Sequence, residues 1–422
     1  MNNYFSSMKR HFAIAAIACS LSSYAYADDG SRLWLNNERA GNAQVTLQVK
    51  SSKTTDIIER ELSAWKGGAV ILKQIKVKGM KRDAYTIQIK DGKTTISSPS
   101  DIGLLYGTYR LLQLQTMNKT SQNMEIKESP FHDYRILNHW DNLDGNSERG
   151  YAGKSIFWNV DGFPESLGKN LVGDLKNNPL KNDTYGRACA SIGINGAVLN
   201  NVNASPKMLT SEVLQMTKEY ADALRPYGIR VYLAVNFSSP KVIGGLSTAD
   251  PMDKDVQLWW KNKAKEIYGL IPDFGGFLVK ANSEGQPGPM DYGRTHADGA
   301  NLLANALRPY GGFVMWRAFI NNPTDPDRAK QARLEFEHLD GKFLDNVIIQ
   351  VKNGPIDFQP REPFSPLFGA MKKTSIMNII SIMGLSIIPG GLSTFFGLLC
   401  IIFTYFFALL AVIMSFKILP TS

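Results

Sequence analysis

From Tyr134 onward the sequence repeats one phrase: a short apolar run, a polar loop, then a stretch with helical spacing. The apolar runs are 135–139 (RILNH), 196–199 (GAVL), 230–235 (RVYLAV), 275–279 (GGFLV), 312–316 (GFVMW) and 346–351 (NVIIQV). Strands that are each followed by a helix enter a sheet parallel to one another, because a parallel pair needs a crossover connection. The string ALRPYG closes two of the helical stretches, at 223–228 and 306–311, each time just before a strand. A doubly wound sheet and a barrel both satisfy this grammar. Polar and charged residues crowd the C-terminal end of every run, which favours a barrel, the fold that carries its active sites there. The expectation is an incomplete (β/α)8 TIM-type barrel of about six βα units over residues 131–374.

The preceding segment, residues 28–130, reads differently. QVTLQVK at 44–50 and AYTIQIK at 84–90 alternate apolar and polar residues as half-buried strands do. DIGLLYGTYRLLQLQ at 101–115 has apolar residues at helical spacing, with Asp101 as its expected N-cap. These features predict a small N-terminal α/β domain.

Both ends are unlike the middle. Residues 1–27 have basic Lys9 and Arg10, an apolar stretch, and Ala25-Tyr26-Ala27 before Asp28, the pattern of a secretory signal peptide, so the chain is expected to be exported to the periplasm or outside the cell. From Thr374 to Phe416 no residue is charged. Within this tail, 375–422, the 22 residues Phe395–Phe416 would span about 33 Å as a helix, enough for a bilayer core. They predict a hydrophobic C-terminal helix and membrane anchoring. The run 376–388 is too short to span and ends at Pro389-Gly390-Gly391, a breaker cluster.

Composition excludes several classes of function. The net charge of +9 is spread without a Lys/Arg run or a zinc-finger or RNP motif, so nucleic acid is not an expected partner. Of the three cysteines, Cys19 falls in the leader and Cys400 in the tail. Cys189 alone builds neither a disulfide framework nor a thiolate metal site. The five histidines contain no HExxH-type pair, and no metal or cofactor is expected.

The residues at the strand ends carry the candidate chemistry. They are His139, Asp141 and Asn142; Asn200, Asn201 and Asn203; Asn236; Lys280, Asn282 and Glu284; Arg317; and Lys352, Asn353 and Asp357. Glycoside hydrolysis needs one protonated carboxylic acid and one ionised carboxylate, roles open to Glu284 and Asp357. From spacing alone, surface salt bridges or helix caps explain the same two residues. Lys280, Arg317 and Lys352 occupy matching topological positions and would together grip a uronic acid, unless they are solvated surface cations. Trp158, in the loop after the first strand, is a candidate platform for stacking a sugar.

The segments RILNHWDNLDGNSERGYAGKSIFW, INGAVLNNVNA, GGFLVKANSEGQPGP, MWRAF and VKNGPIDFQPREPFSPLFGAM resemble the α-glucuronidases of glycoside hydrolase family 67, and the similarity runs from about residue 30 to Thr374. The resemblance implies inverting, metal-independent removal of α-1,2-linked glucuronic acid, or its 4-O-methyl ether, from xylo-oligosaccharides of glucuronoxylan. It implies Glu284 as general acid, Asp357 as a carboxylate proposed as base, and Lys280, Arg317 and Lys352 as contacts to the uronate. After Met371 the sequence departs from the family. A second proposed base would fall where Leu385 stands, and the eighth strand and the helical C-terminal domain through which members often pair have no counterpart, so a homodimer is not assumed. The alternative expectation is a truncated, catalytically inactive, membrane-tethered relative that keeps at most uronate binding.

Overall fold

The computed structural model describes residues 34–35, 40–120, 123–150, 155–158, 184–318, 327, 329–352 and 363–379. The expected signal peptide at 1–27 and the expected helix at 395–416 lie outside the described residues. Among the described residues no helix is long and apolar enough to cross a membrane.

The N-terminal unit is a five-stranded mixed sheet with two helices. Its elements are β1 (Gln44–Gln48), α1 (Lys53–Leu62), β2 (Ala69–Gln74), β3 (Tyr85–Lys90), β4 (Lys93–Ser98), α2 (Asp101–Thr116) and β5 (Met124–Glu128), in sheet order β1-β2-β4-β3-β5. The α2 helix begins one residue earlier than its sequence suggests. Ser100, in extended conformation, is the N-cap and accepts from the Gly103 N–H at 3.2 Å, while Asp101 sits in the first turn and accepts from the Ser52 hydroxyl at 3.0 Å. Glycines 103 and 107 let α2 lie close on the sheet: a Cβ at 107 would stand 2.6 Å from Ile96.

The second unit is a seven-stranded, all-parallel sheet, in which each strand neighbours the next in sequence. Its strands are β6 (Ile136–Asn138), β7 (Gly196–Val198), β8 (Arg230–Ala234), β9 (Gly276–Val279), β10 (Phe313–Arg317), β11 (Val347–Lys352) and β12 (Ser375–Ile379). The connections carry α3 (Thr184–Ser191), α4 (Ser211–Leu224), α5 (Lys254–Leu270), α6 (His296–Leu307) and α7 (Gln331–Phe336). The sheet is curled. Strands spaced about 4.8 Å apart would put β6 and β10 nearly 20 Å from each other in a flat sheet, yet Tyr134, just before β6, packs on Phe313 of β10 with ring centroids 4.6 Å apart. Val198, Tyr232, Ala234, Leu278, Phe313 and Met315 form the inner layer, with Ile136 and Ile348 at its border. The alternate residues Val231, Leu233, Phe277, Val279, Val314, Trp316 and Ile349 join the larger core under the helices. The result is a partial (β/α) barrel.

The expectation of six units is corrected by β12. Ser375–Ile379 pairs in parallel register with β11, Ser375 opposite Ile348 and Ile379 opposite Lys352. The segment was expected to open an apolar tail, but five uncharged residues bordered by a paired strand satisfy more backbone groups as a strand than as a lone helical turn. Asp340 steers the chain into place: its carboxylate accepts from the N–H groups of Lys372, Lys373 and Thr374 at 2.9–3.0 Å. These bonds hold its pKa below the ordinary carboxylate value despite burial.

The repeated ALRPYG string is a repeated helix exit. In both copies a 3-10 turn follows the helix and ends on a glycine with left-handed backbone, Gly228 (φ 76°) and Gly311 (φ 75°). In both, the arginine reaches an aspartate just before a strand, Arg225 to Asp273 at 2.7–2.8 Å and Arg308 to Asp345.

The two units share one core. Arg187 of α3 clasps the buried carboxylate of Glu61 in α1 with bonds of 2.8–3.0 Å, and Arg135 donates to Asp83 at 2.6 Å and to the carbonyls of His132 and Gly193.

Candidate active site

Side chains alternate along a strand, so the residue two positions past an inner-layer residue also faces the barrel interior. This rule places the strand-end residues. Lys280 follows Leu278 on β9, Arg317 follows Met315 on β10, and Gln350 and Lys352 follow Ile348 on β11. In-register pairing, with Val279 opposite Trp316 and Arg317 opposite Gln350, brings these ends to one rim. Lys280 and Arg317 are buried and Lys352 half-buried.

Glu284 is brought to the same rim by a tight turn. The loop after β9 bends back on itself at Ser283–Gln286, closed by a Gln286 N–H bond to the Ser283 carbonyl at 3.0 Å. The two central residues have left-handed backbone, Glu284 at φ 49° and Gly285 at φ 75°. Glycine suits that conformation, whereas a glutamate there is uncommon and costs roughly 1 kcal/mol. Asn282, also left-handed at φ 50°, braces the loop by donating to Asp291 at 2.8 Å and accepting from the Met290 N–H at 3.1 Å. The Glu284 side chain is about one-third exposed, and Oε2 accepts from Lys280 Nζ.

The rim has a definite electrostatic pattern. Lys280 Nζ also donates to Asn203 Oδ1 at 2.8 Å, which fixes the ammonium between the β7 and β9 loops. Burial pulls the Lys280 pKa below its ordinary value, against the opposing pull of Glu284. Burial also takes Arg317 down to about 9, although the charges of Glu284 and Glu148 act in the other direction. Arg317 thus lies within electrostatic reach of both carboxylates.

Sequence reasoning passed over Glu148 and Arg149. The chain from Trp140 to Glu148 forms a small hairpin in which Asp141 bridges Ser147 and the Glu148 N–H donates to the Trp140 carbonyl at 2.7 Å. Asn142 and Asn201 both donate to the Glu148 carbonyl, at 2.6 and 3.2 Å. Glu148 is buried with φ 56°, and Arg149 reaches from Glu148 (3.5 Å) to Glu284 Oε2 (3.4 Å). The signal was the run of turn-forming residues in DNLDGNSERG, which sets the two charges after a bend instead of at a strand end.

Several expected site residues turn out to be braces. Asn200 exchanges two bonds with the backbone of Ala234, donating at 2.9 Å and accepting at 2.8 Å, and so ties β7 to β8. Asn201 accepts from the Asn203 N–H at 3.0 Å, and Asn236 accepts from the Ser238 N–H at 2.9 Å. His139 is half-buried and bonds Tyr185 at 2.6 Å. Burial takes its pKa down to about 4, and the carboxylate of Asp141, 3.8 Å away, is engaged instead by Ser155 and the Ile156 N–H. Trp158, expected as a sugar platform, is corrected: it is 2% exposed, donates its indole N–H to the Leu199 carbonyl at 2.7 Å and packs edge-on to Tyr220. A ring enclosed in this way offers no face to a ligand. Asn353 and Asp357 lie outside the described residues.

A cavity of about 350 Å³ opens elsewhere, lined by Tyr134, Arg308, Phe313, Asp345, Ser375 and others. Those residues mark the N-terminal ends of β6, β10, β11 and β12, opposite the rim, where barrel folds place stability instead of chemistry. Among the described residues, no group of three or more His, Cys, Asp or Glu side chains is placed to hold a metal ion.

Comparison with known proteins bears on this geometry. Residues 114–384 match the glycosyl hydrolase family 67 middle domain. An alpha-glucuronidase of Hypocrea jecorina is 46% identical over 308 residues, which cover 70% of this chain and 35% of the relative. A probable alpha-glucuronidase A of Aspergillus clavatus is 44% identical over 302 residues, 70% and 34% of the two chains, and alpha-glucuronidase A of Emericella nidulans is 44% identical over 307 residues, 69% and 35%. The chain therefore spans about a third of the length of the curated relatives it matches. The family match reaches past Thr374 and takes in β12.

Proposed function

Since this chain belongs to glycosyl hydrolase family 67, we propose that it is an α-glucuronidase that removes α-1,2-linked glucuronic acid, or its 4-O-methyl ether, from xylo-oligosaccharides with inversion at the anomeric carbon. Glu284 gives the proton to the departing xylose oxygen. Asp357 takes a proton from the water that attacks the opposite face of the sugar, which requires the two carboxyl groups to stand about 6.5–9.5 Å apart. Lys280, Arg317 and Lys352 receive the uronate carboxylate, and the planar fork of Arg317 suits two parallel bonds to it. Residues 1–27 would carry the chain out of the cell's interior, to where xylan fragments are met.

One observation carries the reading. The only strand-end carboxylate that touches a buried rim cation among the described residues is Glu284, and its loop holds it there in a backbone conformation glutamate disfavours. Local strain retained at a polar rim fits a functional position. The test is release of glucuronic acid from aldouronic acids by the purified full chain. Release well above that of a Glu284→Ala control supports the proposal, and release no greater than the control refutes it.

A further inference from the structure

We propose that the carboxylate of the bound uronate takes Lys280 away from Glu284, so that ligand binding itself loads Glu284 with the proton it later donates. This deepens the function proposed above and rests on its assignment of the rim to a uronic acid.

The contacts within the rim present a difficulty for a proton donor. Lys280 Nζ donates to Glu284 Oε2, and Arg149 Nη2 stands 3.4 Å from the same oxygen. Arg317 adds its charge from β10 and Lys352 lies on the neighbouring strand, and Glu148 of the β6–α3 loop is an opposing charge among the described residues. A carboxylate facing two direct cationic contacts is held ionised, and an ionised group has no proton to give.

The burial of Lys280 supplies the way out. Its side chain is 5% exposed, so its charge cannot turn to water and must face whatever anion the rim contains. Asn203 keeps the ammonium in place from the other side. An entering uronate meets the inward ends of β9, β10 and β11 and competes for the same N–H donors. As Lys280 turns to the ligand, Glu284 keeps one fewer cationic contact and gains a negative neighbour. Both changes favour its protonated form.

The Glu284 side chain is one-third exposed and can draw the proton from solvent. The balance closes. One proton is taken from water when the uronate binds, the uronate itself remaining ionised. In the reaction that proton passes to the glycosidic oxygen as the C–O bond breaks, water supplies the new hydroxyl, and the base receives and then releases the proton of that water. When the sugar acid departs, Glu284 returns to Lys280. A neutral sugar of the same shape would dock without arming the acid.

The test is calorimetric titration of the full chain with glucuronic acid at one pH in two buffers of different ionisation enthalpy. Wild type is expected to take up about one proton per site. Glu284→Gln is expected to bind glucuronic acid with uptake close to zero. A variant-free readout accompanies it: affinity of the wild type should tighten by about tenfold per unit fall in pH across the range where uptake occurs. Saturable binding whose heat does not depend on buffer, or equal uptake by Glu284→Gln, overturns the exchange and leaves the uronate site standing. No saturable heat with glucuronic acid overturns the uronate reading, and the exchange with it.

Discussion

Two turns of this protein have nearly the same backbone and opposite chemistry. Asp91–Gly92 joins β3 to β4 with φ values of 50° and 75°, and Glu284–Gly285 follows β9 with 49° and 75°. Left-handed geometry at both central residues is what a two-residue hairpin turn requires, and Asp-Gly is among its preferred sequences. Glutamate has no such preference. The first turn uses the residue that folds best, while the second keeps a carboxylate where folding would choose another side chain.

Two arginines repeat the contrast. Arg187, at the junction of the two units, is held above its ordinary pKa because its bonds to Glu61 outweigh the cost of burial. Arg317, at the rim, is held below because burial outweighs Glu284 and Glu148. The two arginines differ in which influence prevails, bonds to a fixed carboxylate at the junction and the cost of burial at the rim, and a strongly perturbed group at a polar rim is a candidate functional position.

These contrasts can be broken experimentally. The largest effect is expected from Glu284→Gln, which should lower kcat for glucuronic acid release by roughly 10²–10⁴ through loss of the acid. Next, Arg187→Met should cost up to about 3–5 kcal/mol by leaving the buried Glu61 with the longer, 3.7 Å contact to Arg60. By contrast, Arg317→Met should cost less stability than Arg187→Met while abolishing calorimetric binding of glucuronic acid. Equal losses of stability in the two variants would erase the distinction between junction and rim.

His139 sets a third, smaller effect. Its folded pKa is about 4, against an ordinary 6.5. The unfolded chain therefore binds the proton first as pH falls. Stability should be full above about pH 6.5 and decline by on the order of 3 kcal/mol toward pH 4, and His139→Gln should remove that slope in urea titrations. The smallest effect concerns the turns. Glu284→Asn should be more stable by about 0.5–1 kcal/mol than Glu284→Gln, which gives up the same carboxylate, and Asp91→Glu should be less stable than wild type by a similar amount, read as shifts in Tm. A Glu284→Asn variant no more stable than Glu284→Gln would show that the second turn is not strained.

Much of the architecture was legible because it rests on periodicity. The six parallel strands of the barrel were readable as apolar runs, and their inward cations Lys280, Arg317 and Lys352 follow from the alternation of side chains. β12 was not, because its five residues share an uncharged stretch with 380–416, and the pairing with β11 and the Asp340 bonds that hold the turn before it come from residues distant in sequence. β4 carried a signal in Asp91-Gly92, but its polar sequence KTTISS hides the buried alternation of Thr94, Ile96 and Ser98. In the site, Glu148 and Arg149 escaped notice because a hairpin, not a strand end, delivers them. Trp158 misled because an indole in a loop suits both stacking and packing, and only the tertiary contact with Leu199 and Tyr220 decides between them.

The proposed function requires that the cations of the rim select a sugar acid and that its glutamate donate to it. Its most direct test is the ratio of kcat/KM for glucuronosyl-xylobiose to that for the carboxyl-reduced trisaccharide, measured with the full chain and with Arg317→Met. The account predicts a preference for the acid of at least roughly 10³, by analogy with sites that reject a ligand lacking the group they bind, and a collapse of that preference in the variant. Comparable rates on the acid and the neutral sugar, or a preference untouched by Arg317→Met, would contradict it.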